Sequence, residues 1–207
     1  MDWHLIAAVL VTMAASYLLG CCNTSIVISK YVLRDDVRNH GSGNAGLTNF
    51  YRVFGKQKIL LVILADVLKT VIAVLAGIAL FRWAGSDPII GKLLGGLFCM
   101  IGHMFPFQFE FKGGKGVLAG GTMACFMGWK VAVVVWGIFF LMVILTRFVS
   151  LGSVGAGVLY PISVGLVYQN LWYTLLALVA GGLLVWRHKD NIKRLLRGEE
   201  SKLKLHK

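Results

Sequence analysis

Long apolar runs separated by short polar connections set the pattern of this sequence. A helix that crosses a bilayer needs about 20 apolar residues, with about 17 as a lower bound. Residues 5–28, 59–81, 89–107, 151–168 and 171–186 supply clear candidates. The stretch 116–146 is too long for one ordinary span and is interrupted by Gly128-Trp129-Lys130. It reads as two helices, the first short, turning at that break. The pattern predicts an all-α membrane protein with seven transmembrane helices.

Charge orients these spans. With seven spans and an external N-terminus, seventeen Lys and Arg fall in the internal segments, whereas only Arg82, Lys92 and Lys130 fall outside and Lys69 lies within a span. That asymmetry obeys the positive-inside rule. Six spans would send the basic C-terminal segment outside, so the C-terminus is expected to be cytoplasmic. Residues 1–207 are expected to form a single integral membrane domain, with a short basic amphipathic cytoplasmic tail from about residue 187.

Composition agrees. The 207 residues are 57% hydrophobic and 14% charged, against roughly 25% charged in soluble domains. The net charge of +12 comes from cations clustered beside apolar spans. This placement suits topology and anionic substrates or headgroups rather than nucleic acid. Cys21, Cys22, Cys99 and Cys125 lie in apolar stretches without a CxxC pair and read as reduced core residues.

Four segments carry chemistry, and the predicted topology puts all of them on the cytoplasmic face. The first is Gly41-Ser42-Gly43-Asn44-Ala45-Gly46-Leu47-Thr48-Asn49, followed by Arg52. Unhindered backbone N–H groups, small hydroxyls, amides and a guanidinium suit a phosphate. The run formally matches G-x-G-x-x-G, but a membrane helix and Arg34-Asp35-Asp36 precede it instead of a strand, which excludes a dinucleotide fold. A flexible turn alone does not require Ser42, Asn44, Thr48, Asn49 and Arg52 together.

The second segment is Gly102-His103-Met104-Phe105-Pro106 with Lys112-Gly113-Gly114-Lys115-Gly116, two lysines around a Gly-Gly turn at a helix start. His103 reads either as a buried hydrogen-bonding residue or as a substrate contact. The third contains Arg147, Ser150 and Ser153. The fourth holds His188 and Asn191 three apart, hence on one helix face. Asp66 and Lys69 inside the second span have pairing distance and read as a structural ion pair supporting the first loop, in preference to a direct substrate role. No H-x-x-x-x-D box, acidic Mg²⁺ cluster or Cys/His zinc set occurs in the sequence. No metal or cofactor is therefore expected.

Together these segments resemble the bacterial integral-membrane glycerol-3-phosphate acyltransferases that use acyl phosphate as donor. Residues 41–52 resemble the family's first signature, with Leu47 in place of a frequent Ala. Gly102-His103, Phe105-Pro106 and 112–116 resemble the second. Arg147, Ser150 and Ser153 resemble the third, and His188, Asn191, Arg194 and Leu195 the C-terminal pattern. The resemblance implies acyl transfer from acyl phosphate to sn-glycerol 3-phosphate, giving 1-acylglycerol 3-phosphate and phosphate, in the bacterial inner membrane. On that basis Ser42, Gly43, Asn44, Gly46, Thr48 and Asn49 are expected to bind acyl phosphate. Arg52, Lys112, Lys115, Ser153, His188 and Asn191 are expected to bind glycerol 3-phosphate. His188, Asn191 and Ser153 are the catalytic candidates. A carrier of organic phosphates is the competing reading, but it would ordinarily show internal repeats, and the sequence shows none. A scaffold without activity leaves the glycine loops without a purpose.

Overall fold

The computed structural model describes residues 2–203. Among these the regular elements are all helical. The chain divides into two compact units between Thr122 and Met123.

In the first unit, α1 spans Trp3–Cys21, with Asp2 capping its first turn. The chain then breaks at Cys22, and Asn23 caps a short α2 over Thr24–Val27 that runs into a π-helical turn, Ile28–Val32. By length and apolarity Trp3–Val32 counts as one candidate span. A 3₁₀ turn at Val37–Asn39 and α3, Leu47–Phe54, follow. Two long helices, α4 (Ile59–Trp83) and α5 (Pro88–Met104), then pack against each other and against α1. Gly77 and Gly91 face one another so closely that a Cβ on either would meet the other's backbone carbonyl, the small-residue contact that membrane helices use to approach. Leu60, Leu61, Leu64, Leu68 and Leu75 of α4 are exposed, as a lipid-facing surface requires.

Beneath the 41–49 segment lies a separate small core. Ile26, Val37, Ala45, Phe50 and Val62 are fully buried there, with Ile28 and Phe109 nearly so. Leu47 packs against this core, so the larger residue at that position faces protein. The 3₁₀ turn Phe107–Phe109 and the loop after it lead to α6, Val117–Phe126.

In the second unit, Gly128 (φ 100°) opens α7, Trp129–Thr146, so 116–146 forms two helices, the first short. Next come α8 (Val149–Tyr168, with Pro161 inside it), α9 (Leu171–Arg187) and α10 (Lys189–Leu196). Helix α8 packs on both α7 and α9. The chain bends by 55° between α9 and α10.

Five segments are long and apolar enough to cross a membrane, or six if the bent α9–α10 pair counts as one span. Helix α6 has ten residues, too few for a bilayer of about 30 Å at 1.5 Å per residue.

Candidate active site

The first unit brings two of the four segments together. Asn49 is 2% exposed. Its Oδ1 accepts the Ser42 backbone N–H at 2.8 Å, and its Nδ2 donates to the carbonyls of Val37 and His40, each at 3.0 Å. One side chain thus ties the start of the loop to the helix that follows it. Gly41 has φ +59°, and a Cβ there would strike Asn49 Oδ1. This position therefore needs glycine both for its left-handed backbone and for room.

The loop tip remains accessible: Ser42 and Gly43 are exposed, and Asn44, Gly46 and Thr48 half-buried. Gly46 stands before the first turn of α3, and no side chain caps that helix. Its leading N–H groups therefore head toward the loop. Thr48 and half-buried Arg52 lie four residues apart on one face of α3.

Arg38 anchors the base of the loop. Its guanidinium pairs with Asp36 at 2.7 Å and donates to the Phe109 carbonyl at 3.1 Å. The hydrogen bonds and charge of Arg38 hold the Asp36 carboxyl below the usual carboxylate range. The same contact fastens the first segment to the second.

In the second segment the chain doubles back on the end of α5. Gly113 N–H donates to the Met104 carbonyl at 3.1 Å, and Gly114 N–H to the His103 carbonyl at 3.0 Å. Gly113 and Gly114 are buried and Lys115 half-buried. A Cβ on Gly114 would meet the His103 Nε2 edge and lie 3.0 Å from the Ala45 carbonyl, so the Gly-Gly turn sits against the 41–49 loop. Lys112 points the other way. It is exposed and pairs with Glu110 at 2.7 Å.

His103 is a buried hydrogen-bonding residue, its Nδ1 lying 3.1 Å from Lys69 Nζ. Lys69 and Asp66 form the expected ion pair, at 2.7 Å. The pair does not reach the 41–49 loop directly. Lys69 donates to the carbonyls of Gly20 (3.3 Å) and Cys22 (2.9 Å), groups left open where α1 breaks, and Asp66 accepts from Thr24 at 3.0 Å.

The second unit builds its cluster around Glu200, which sequence reasoning missed. Glu200 Oε1 accepts from Ser150 at 2.7 Å and from Asn191 at 2.6 Å, while Oε2 accepts from Arg194 at 2.7 Å. Burial works against ionisation of this carboxyl, but the three donors outweigh it and hold its pKa below the ordinary glutamate value. Leu203 N–H donates to the Arg147 carbonyl at 2.8 Å, so the tail returns to the start of α8. Ser153, one turn beyond Ser150, is 1% exposed and donates to the Val149 carbonyl at 2.9 Å.

His188 occupies the corner between α9 and α10 and is 2% exposed. Its Nδ1 lies 2.8 Å from the Leu184 carbonyl. A carbonyl only accepts, so Nδ1 carries a proton, and in a neutral ring the lone pair then lies on Nε2. That is the form a proton acceptor needs.

Known proteins resemble this chain. Residues 10–198 match the family model described as glycerol-3-phosphate acyltransferase. A protein of that name from Thermoanaerobacter pseudethanolicus is 35% identical over 192 residues, covering 93% of this chain and 94% of its own length. One from Prochlorococcus marinus is 37% identical over 190 residues, covering 91% and 94%. The crystal structure of PlsY (YgiH), an integral membrane glycerol 3-phosphate acyltransferase, in its glycerol 3-phosphate form superposes with a TM-score of 0.85 at 33% identity. That match covers 95% of this chain and 96% of the other, and the lysophosphatidic acid form gives a TM-score of 0.82 at 32% identity. The chain therefore belongs to the PlsY-type glycerol-3-phosphate acyltransferase family.

Proposed function

We propose that the protein transfers an acyl group from acyl phosphate to the 1-hydroxyl of sn-glycerol 3-phosphate, releasing 1-acylglycerol 3-phosphate and inorganic phosphate. This is the first acylation of phospholipid synthesis. The observation that carries it is the braced 41–49 loop, which leads its backbone donors into a helix start without a side-chain cap, a setting that favours a phosphate. The relatives' names and the two ligand forms of the PlsY crystal structure support both the acceptor and the product.

Acyl phosphate is a mixed anhydride, so its leaving group is already activated and the protein has mainly to hold, orient and neutralise. In the first unit, the 41–49 loop takes the acyl-phosphate headgroup through Ser42, Gly43, Asn44, Gly46 and Thr48, with Asn49 holding the loop in shape. Arg52 and Lys115 take the phosphate of glycerol 3-phosphate, with Lys112 adding charge at the rim. In the second unit, Ser153 and Asn191 serve the acceptor, and His188 Nε2 takes the proton of the attacking hydroxyl. The hydroxyl oxygen bonds to the acyl carbon, the bond from that carbon to the phosphate oxygen breaks, and phosphate departs. We infer a topology of seven helical segments with the N-terminus outside, which would put this chemistry at the cytoplasmic face of a bacterial inner membrane, with the acyl chain among apolar helices.

The test supplies purified protein in detergent with acyl phosphate and glycerol 3-phosphate and measures lysophosphatidate and phosphate together. Equal amounts of both are expected, with none when acyl-CoA replaces acyl phosphate. A folded sample that makes no product sinks the proposal.

A further inference from the structure

A buried ion pair inside a membrane helix is poor evidence of added stability, since well-packed apolar residues commonly do as well. The Lys69 and Asp66 side chains are only 8% and 4% exposed, so their presence there calls for another reason. Their neighbours supply one. An ammonium has three N–H donors and no lone pair. Around Lys69 Nζ stand Asp66 Oδ1 at 2.7 Å, the Cys22 carbonyl at 2.9 Å, the Gly20 carbonyl at 3.3 Å and His103 Nδ1 at 3.1 Å. Facing an ammonium, Nδ1 can only accept. The nearest Asp66 oxygen is 3.7 Å from Nδ1, too far for a hydrogen bond that would demand the opposite tautomer.

The neutral ring therefore carries its proton on Nε2, and that edge lies against Gly114. The carbonyl of the same residue accepts both the Gly114 N–H at 3.0 Å and the Asn23 side-chain amide at 3.3 Å. His103 thus grips the Gly-Gly turn by its backbone and abuts it with its ring, one residue before Lys115.

We propose that Asp66 and Lys69 are positioning residues: they fix the tautomer and angle of the His103 ring, and through its contact with Gly114 they set where Lys115 meets a phosphate. This rests on the role given to Lys115 in the proposed acyl transfer. Neither residue of the pair touches substrate.

The experiment removes both charges together, Asp66→Asn with Lys69→Met, so that no lone buried charge remains. Wild type, this double variant, Lys115→Ala and the triple variant are compared in KM for glycerol 3-phosphate and in kcat. In the double variant KM is expected to rise about ten- to a hundred-fold, as small misplacements of a binding group do, with a much smaller change in kcat. The triple variant is expected to be little worse than Lys115→Ala alone, because both changes act through one contact. An unchanged KM, or effects that multiply independently, overturns the proposal. If the double variant does not fold, the ¹⁵N spectrum of histidine-labelled wild type decides. Its His103 signals, assigned by their loss in His103→Gln, are expected to show a bare Nδ1 and a protonated Nε2; a protonated Nδ1 overturns the proposal. A wild type that fails to acylate glycerol 3-phosphate sinks the proposed function instead, and the ring tautomer and calorimetric binding of glycerol 3-phosphate then still test the positioning role.

Discussion

Asn191 donates its side-chain amide to Glu200 Oε1 across 2.6 Å. Ser150 shares that oxygen, and Arg194 holds the other. One carboxylate thus joins the first turn of α8, the face of α10 and the returning tail. Hydrogen bonds to a charged group contribute about 1.5–3 kcal/mol each, and orphaned partners lose more. Glu200→Ala is expected to cost about 3 kcal/mol in unfolding measured in detergent, and to reduce activity because Asn191 loses its tether. Glu200→Gln, which keeps an acceptor oxygen, is expected to fall between the two.

The same carboxylate gives the fold an acid limit. Its folded pKa is depressed by the three donors against the opposing effect of burial, so its contribution is complete above the ordinary glutamate value of about 4.3. It is lost as pH falls through the lower folded value. Asp36, depressed by Arg38, acts with the same sign. Thermal unfolding is expected to be flat in pH from neutrality to about 5 and to weaken below that. Glu200→Gln and Asp36→Asn should each remove part of that acid limb. An unchanged acid limb in both variants would show that other carboxylates set it.

Asn49 and Ser42 separate bracing from binding. The Asn49 amide is engaged three times within the loop, whereas Ser42 enters that latch only through its backbone N–H. Asn49→Ala is expected to cost about 2–3 kcal/mol of stability and to raise KM for acyl phosphate. Ser42→Ala is expected to leave the unfolding temperature unchanged and to lower activity. A matched loss of stability in both variants would place the Ser42 hydroxyl in the brace as well.

The parts of this structure that the sequence discloses are those encoded over a few adjacent residues. The 41–49 loop announces itself by composition, the Gly-Gly turn by its flanking lysines, and the break before α7 by Gly128. Asp66 and Lys69 pair because three residues bring them onto one helix face. Their other partners, the Gly20 and Cys22 carbonyls, become available only because α1 breaks at Cys22. Hydropathy does not locate that break: Asn23-Thr24-Ser25 follow it, yet Trp3–Val32 still averages as one apolar span. Glu200 was illegible for a related reason. Its donors lie six, nine and fifty positions away in sequence, and a glutamate in a basic tail looks solvated. Span counting met its limit at α6, whose apolar composition suits a membrane although its ten residues do not reach across one.

Lys112 and Lys115 flank the same turn but differ in setting. Lys112 is exposed and paired with Glu110, an arrangement screened by water and salt. Lys115 is half-buried beside the Gly-Gly turn. Lys115→Ala is expected to lower kcat/KM for glycerol 3-phosphate by about a hundred-fold or more, in line with loss of a charge-assisted phosphate contact. Lys112→Ala is expected to cost only a few-fold, and less as salt is raised. Equal losses at constant salt would give Lys112 a direct contact with substrate.

His188 is the proposed proton acceptor. The Leu184 carbonyl at 2.8 Å fixes the proton on Nδ1, which leaves Nε2 as the ring's proton acceptor. A positioned base contributes about 10²–10⁴-fold to a rate, so His188→Ala is expected to lower kcat by that order with little change in unfolding temperature. The competing route passes the proton to a phosphate oxygen of a substrate, and there the ring would only orient the hydroxyl. Free imidazole distinguishes the two. Added to His188→Gly, it restores proton acceptance without restoring a tethered ring, so product formation should rise with imidazole and fall away when the ring is protonated. Near-full activity in His188→Ala, or no response to imidazole in a folded His188→Gly, would assign the proton to the phosphate instead.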